Sequence, residues 1–179
     1  MGLAVTKGIS DLVLMTKVLV IDDEPYMRKV IRSLLLACGL KDVHDAPNGG
    51  QGLDAICSMA PDVVILDWEM PDINGADFMR MVRSPESFPY PGVPVIMLSG
   101  HVERERVVEA VRLGVNEYLG KPVSAKSLLE RIIAVRAKPR PIVRIGNYYG
   151  PQPRKLLPET AQPLLPGFDD SNWLTGDLR

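Results

Sequence analysis

From Lys17 onward the chain alternates short, nearly unbroken apolar runs with stretches whose apolar residues recur every three or four positions. The runs are KVLVID, DVVILD and VPVIMLS, with a weaker DVHDA and a short NEYLG. Continuous apolar character at this length predicts strands buried on both faces. After the first run, Met27, Val30, Ile31, Leu34, Leu35 and Cys38 fall on one face of a helix. Pro25 suits its first turn and Gly39 the position just past its end. Leu53, Ile56 and Met59 mark a second helix; Phe78, Met79 and Val82 a short third; Val107, Val108 and Val111 a fourth, ended by Gly114. Leu128, Leu129, Ile132, Ile133 and Val135 mark the fifth.

Strict alternation of strand and helix implies right-handed crossovers and a parallel sheet covered by helices on both sides, a doubly wound α/β architecture. This pattern occupies residues 17–138 of the 179. Before it lies a leader, residues 1–16, with a weak apolar patch broken by Ser10 and Asp11, for which disorder is expected; Met15, just ahead of the first strand, is a candidate start. Behind it, residues 139–179 are rich in proline and show little periodicity, which predicts a tail without an output domain. Tyr148, Tyr149, Phe168 and Trp173 make that tail more aromatic than a plain linker, so it either docks on its own domain, meets a partner, or extends without structure.

Composition narrows the function only by exclusion. A net charge of −1 gives no electrostatic reason to expect DNA or an anionic membrane as the main partner. No apolar run approaches the ~20 residues of a membrane-spanning helix. Cys38 and Cys57 lack metal-ligand spacing and read as small buried hydrophobes in a reducing, cytoplasmic setting.

Polar groups at the strand ends carry more information. Ligands of open α/β sheets gather beyond the carboxyl ends of the strands, where the strand order reverses. There the first strand delivers Asp22 and Asp23, the third Asp67, the fourth Ser99, and the fifth is followed by Lys121. Singly, Asp22–Asp23–Glu24 reads equally well as a helix cap and Asp67 as a turn initiator. Together, the carboxylates outnumber the one ammonium and would raise one another's pKa. A hard divalent cation such as Mg²⁺ meets that imbalance.

The stretches VLVIDDEP, PDVVILDWEMPDINGADFM, VPVIMLSG and NEYLGKPV, in this order, closely resemble the receiver domains of bacterial two-component response regulators, including the stand-alone chemotaxis type. The resemblance implies a flavodoxin-like sheet of order 2-1-3-4-5 and a phosphoacceptor at Asp67. It implies Mg²⁺ held by Asp22, Asp23, Asp67 and the carbonyl of Glu69. Ser99 would bond the phosphoryl group, Lys121 pair with it, and Tyr118 act as an aromatic switch. The donor would be a histidine kinase or a histidine phosphotransfer protein, and the readout a protein partner, with dimerisation through the fourth helix, fifth strand and fifth helix, or through the tail, as a further option. Glu69 and His101 depart from the chemotaxis receivers and are expected to influence phosphoryl lifetime. His44 and Gly75 read as structural, and Trp68 as packing at the solvent edge.

Rival readings fare worse. A transcription factor needs uninterrupted helices for a DNA-binding unit, and the proline-rich tail has none. A Mg²⁺-dependent phosphohydrolase of the haloacid dehalogenase type places its nucleophile after the first strand as Asp-x-Asp; here that strand ends in Asp-Asp-Glu. A relay intermediate or phosphate sink uses the same site chemistry as a receiver and stays open.

Overall fold

The structure, a computed structural model, describes residue 8 and residues 11–153. Along the chain run β1 (Lys17–Ile21), α1 (Pro25–Ala37), β2 (Asp42–Ala46), α2 (Gly49–Met59), β3 (Val63–Asp67), α3 (Gly75–Val82), β4 (Val95–Ser99), α4 (Arg104–Arg112), β5 (Glu117–Gly120), α5 (Ala125–Ala137), β6 (Ile142–Ile145) and β7 (Tyr148–Pro151). The first five strands form a parallel sheet in the order β2-β1-β3-β4-β5, as the sequence predicts.

Side-chain alternation along the buried strands splits the core in two. Leu19, Ile21, Val64, Leu66, Val95 and Met97 face Ile56 of α2, Phe78, Met79 and Val82 of α3, and Ala110 of α4. Val18, Val20, Val63, Ile65, Ile96 and Leu98 face Ile31 and Leu35 of α1 and Leu128, Ile132 and Val135 of α5. Burial on both sides holds β1 and β3 at the centre, and the chain winds outward from this pair in opposite directions. The switch point therefore lies between β1 and β3.

The fourth helix forms where Val107, Val108 and Val111 mark it; Ala110 is its buried residue and the three valines are half-buried. Two expectations need correction. Cys57 is exposed; Cys38 is half-buried, and its thiol donates to the Ala125 carbonyl. The expected leader disorder does not extend to residues 11–16: residues 11–15 are helical, Val13 packs into the α1–α5 core and Thr16 is buried. The remainder of the leader, residues 1–7 and 9–10, lies outside the described residues.

In the tail, docking on its own domain is the alternative that residues 142–151 follow. Residues 142–151 form an antiparallel hairpin, Ile145 pairing with Tyr148 across Gly146 and Asn147. Gly146 takes φ +55, the left-handed backbone that two-residue hairpin turns demand. The hairpin docks under the amino-terminal edge of the sheet, against the turn between α4 and β5 at Gly114. A Cβ on Gly150 would sit 2.9 Å from the Gly114 Cα, which measures how closely the two backbones cross. Buried Arg83 donates to the carbonyls of Gly114 and Pro91 and to the side chain of Asn116, and Tyr148 of the hairpin is buried. Phe168, Trp173 and the rest of residues 154–179 lie outside the described residues.

Candidate functional site

Register brings the acids together. Ile21 pairs with Leu66, so Asp22 and Asp67, the residues after each, stand side by side at the ends of β1 and β3. On the other flank Ser99 pairs with Gly120, which places Lys121 at the same edge. Neighbouring strands lie only about 4.8 Å apart, so facing side chains at this edge must interact. Oxygens of Asp22, Asp23 and Asp67 all lie within 4.8 Å of one another.

Lys121 bridges the buried pair. Its Nζ lies 2.8 Å from Asp67 Oδ1 and 3.3 Å from Asp22 Oδ2. Asp22 and Asp67 are only 1% and 4% exposed, so two ionisable carboxyls have little water to solvate them. Burial pushes the Asp67 carboxyl above the ordinary carboxylate range; the Lys121 ammonium opposes this and Asp22 adds to it. Burial would pull Lys121 down, but pairing with Asp67 and then Asp22 outweighs it and raises the ammonium. The Lys121 cation is thus fixed, yet it is one charge against three.

The donor set fits a hard divalent cation. Asp22 Oδ1 accepts from the Glu24 amide at 2.8 Å, which orients its carboxylate. Apart from the Lys121 ammonium at 2.8 Å, the buried Asp67 Oδ1 has no hydrogen-bond partner among the described residues. Clustered carboxylate oxygens with unused lone pairs are what Mg²⁺ binds. Glu24 takes the N-cap position of α1, but its side chain makes no capping bond. The acidic triplet therefore serves the site through Asp22 and Asp23, while Glu24 contributes its backbone.

Ser99 is fully buried, and its hydroxyl accepts from the His101 amide at 3.0 Å. The Tyr118 hydroxyl donates to the His101 carbonyl at 2.5 Å, and burial raises its phenol above the ordinary value. His101 therefore touches Ser99 and Tyr118 through its backbone. Its ring bridges two exposed acids, with Nε2 3.0 Å from Glu69 Oε1 and Nδ1 3.5 Å from Glu103 Oε1. His44 pairs with Asp42 on the exposed edge strand and has no part in this cluster.

Trp68 corrects the sequence reading. It is 5% exposed, with Tyr118 edge-on at 6.4 Å between centroids and the Arg106 guanidinium 5.3 Å over its ring. Arg106 belongs to α4, so no local pattern in the sequence announces the contact. Gly75 proves structural, through close approach of backbones. A Cβ there would stand 2.9 Å from Trp68 Cα and 3.0 Å from the Asp67 carbonyl oxygen. Any larger residue would push on the backbone that carries Asp67.

Residues 18–133 match the response regulator receiver domain family. The chemotaxis protein CheY of Pseudomonas aeruginosa is 35% identical over 116 residues, covering 65% of this chain and 92% of that protein. Chemotaxis protein CheY1 of Helicobacter pylori is 35% identical over 120 residues, 66% of this chain and 95% of its own length. Among solved structures, a response regulator receiver domain from Clostridium thermocellum superposes with a TM-score of 0.62 at 33% identity, over 69% of this chain and 96% of that one. The Francisella response regulator 1452 receiver domain gives 0.63 at 29% identity, over 69% of this chain and 98% of that one. The hairpin lies beyond the residues that the family match spans.

Proposed function

Because the chain belongs to the response regulator receiver family, we propose that it accepts a phosphoryl group on Asp67 from a histidine kinase or histidine phosphotransfer protein and passes the change to a protein partner. The observation that carries this reading is the buried Asp22–Lys121–Asp67 bridge at the switch point, with Ser99 at the same sheet edge. In the transfer, the P–N bond of a donor phosphohistidine breaks as a P–O bond forms to an Asp67 oxygen, and the imidazole leaves to be protonated by solvent. Asp22, Asp23 and Asp67, with the Glu69 carbonyl, are the residues that would hold Mg²⁺, and when bound this ion neutralises charge on the transferring oxygens.

The chain's own groups do the rest. Lys121, held beside Asp67, places a fixed positive charge where the phosphoryl oxygens arrive, and preorganised charge of this kind needs no rearrangement during reaction. The Ser99 hydroxyl leaves the His101 amide to donate to a phosphoryl oxygen. That movement disturbs the loop whose carbonyl holds Tyr118, and a shift of Tyr118 repopulates the α4–β5 surface. The half-buried Val107 and Val111 line a cavity of about 170 Å³ there with Tyr118 and Arg131. A surface of mixed apolar and charged groups flanking the switch residue suits a partner that binds one state better than the other.

Incubation with Mg²⁺ and a small acyl phosphate should label the protein, and Asp67→Asn should abolish the labelling. Persistent labelling of that variant would remove Asp67 from its assigned role. The Glu69–His101 pair borders the path of the water that hydrolyses the aspartyl phosphate. Exchanging His101 for Ala opens that path and frees Glu69, and the half-life should shorten several-fold in a decay assay. An unchanged half-life would show that the pair lies outside the water's route.

A further inference from the structure

Beneath the amino-terminal ends of β3 and β4, on the edge opposite Asp67, the hairpin and the loop before β4 enclose a groove of about 370 Å³. Its walls are Pro61, Pro89, Tyr90, Pro91 and Tyr149, with buried Ile56 behind them and no charged residue in the lining. Such a surface offers nothing to an ionic ligand. Apolar rings spaced by tyrosine hydroxyls suit a proline-containing segment, which enters with little conformational entropy left to lose. Tyr90 at the rim is 43% exposed and Ile142 beside it 39% exposed, so the groove continues into an open apolar patch.

The chain carries a matching segment a few residues beyond the hairpin. Gly92 lines the groove, and the Cβ position on Gly92 lies 3.6 Å from Ile142. Ile142 pairs with Pro151, so the chain leaves β7 next to the residue that borders Gly92, with the Gln152 carbonyl accepting from Arg140. Beyond the described residues the sequence reads LLPETAQPLLP from Leu156 to Pro166, a Leu-Leu-Pro at each end and a single charged residue within. A tether of a few residues gives an effective concentration of about millimolar or more, enough to fill even a weak site. We propose that this groove binds the chain's own segment Leu156–Pro166, so that the hairpin serves as the platform for an intramolecular clasp. The proposal goes beyond the phosphoacceptor reading and stands on different residues.

The full-length chain tests it. A photoreactive benzoylphenylalanine in place of Tyr90, in a mixture of ¹⁴N- and ¹⁵N-labelled protein, should crosslink to residues 156–166 of the same isotope. Placing Leu157→Asp and Leu165→Asp together in that chain should lower the yield about tenfold, as expected for removing buried leucine contacts. In the unsubstituted chain, the tail leucine methyls should show nuclear Overhauser contacts to the Tyr90 and Tyr149 rings. Adducts joining the two isotopes would make a second copy the occupant and overturn the proposal. Adducts or Overhauser contacts that exclude the tail would overturn it as well.

Discussion

Exchanging Lys121 for Met should slow labelling of Asp67 by a small phosphodonor by at least about a hundredfold, the usual loss on removing a preorganised charge from a transferring group. The same exchange should tighten Mg²⁺ binding, because the ammonium occupies the space between Asp22 and Asp67 and competes electrostatically for their oxygens. Trp68, adjacent to Asp67, supplies a fluorescence readout for that titration. A scaffold role for Lys121 would weaken metal binding and labelling together. Movement of the two in opposite directions identifies the ammonium as a charge acting on the phosphoryl group. Without the metal, the variant also loses the ammonium that opposes the effect of burial on Asp67, and that carboxyl will retain its proton to higher pH than before.

The largest effect on stability should come from Arg83. Its guanidinium lies 3.0 Å from the Gly114 carbonyl and 3.1 Å from Asn116 Oδ1, and it also meets the Pro91 carbonyl, with no carboxylate in this set. Burial pulls its pKa down to about 10, still high enough to keep the charge at neutral pH. Arg83→Met preserves volume but strands the carbonyl groups in a dry environment, at a cost of about 1–3 kcal/mol for each unpaired acceptor. A total near 3 kcal/mol would lower the melting temperature by roughly 6–12 °C in a chain of this size. Hairpin amides should lose hydrogen-exchange protection first. An unchanged melting temperature would mean that water or relaxation satisfies those carbonyls and that the hairpin does not depend on Arg83.

Those two residues mark the boundary of what could be read from the chain. The parallel sheet was legible because β1, β3 and β4 are unbroken apolar runs, and two-sided burial has few other causes. The acidic site followed, since fixing Ile21 beside Leu66 leaves Asp22 and Asp67 no other place to stand. Three features depend on packing between distant segments and left a weaker trace. The α4 valines marked the helix but not Ala110, the small residue that it buries. Trp68 read as packing at the solvent edge, whereas Arg106, from a later helix, lies over its ring. The hairpin did have a local signal, IVRI and YYGP around Gly-Asn, masked by the prolines on either side. Proline is tolerated there because both strands of a two-stranded ribbon are edges.

The most direct test of the central claim is the position of the phosphoryl group. Borohydride reduces an aspartyl phosphate to homoserine, leaving a permanent mark that peptide mass spectrometry can place. After incubation with Mg²⁺ and a small acyl phosphate, homoserine should appear at position 67 alone, and not at all when Mg²⁺ is withheld. Homoserine at Asp22 or Asp23, or labelled protein in which Asp67 remains intact, would contradict it.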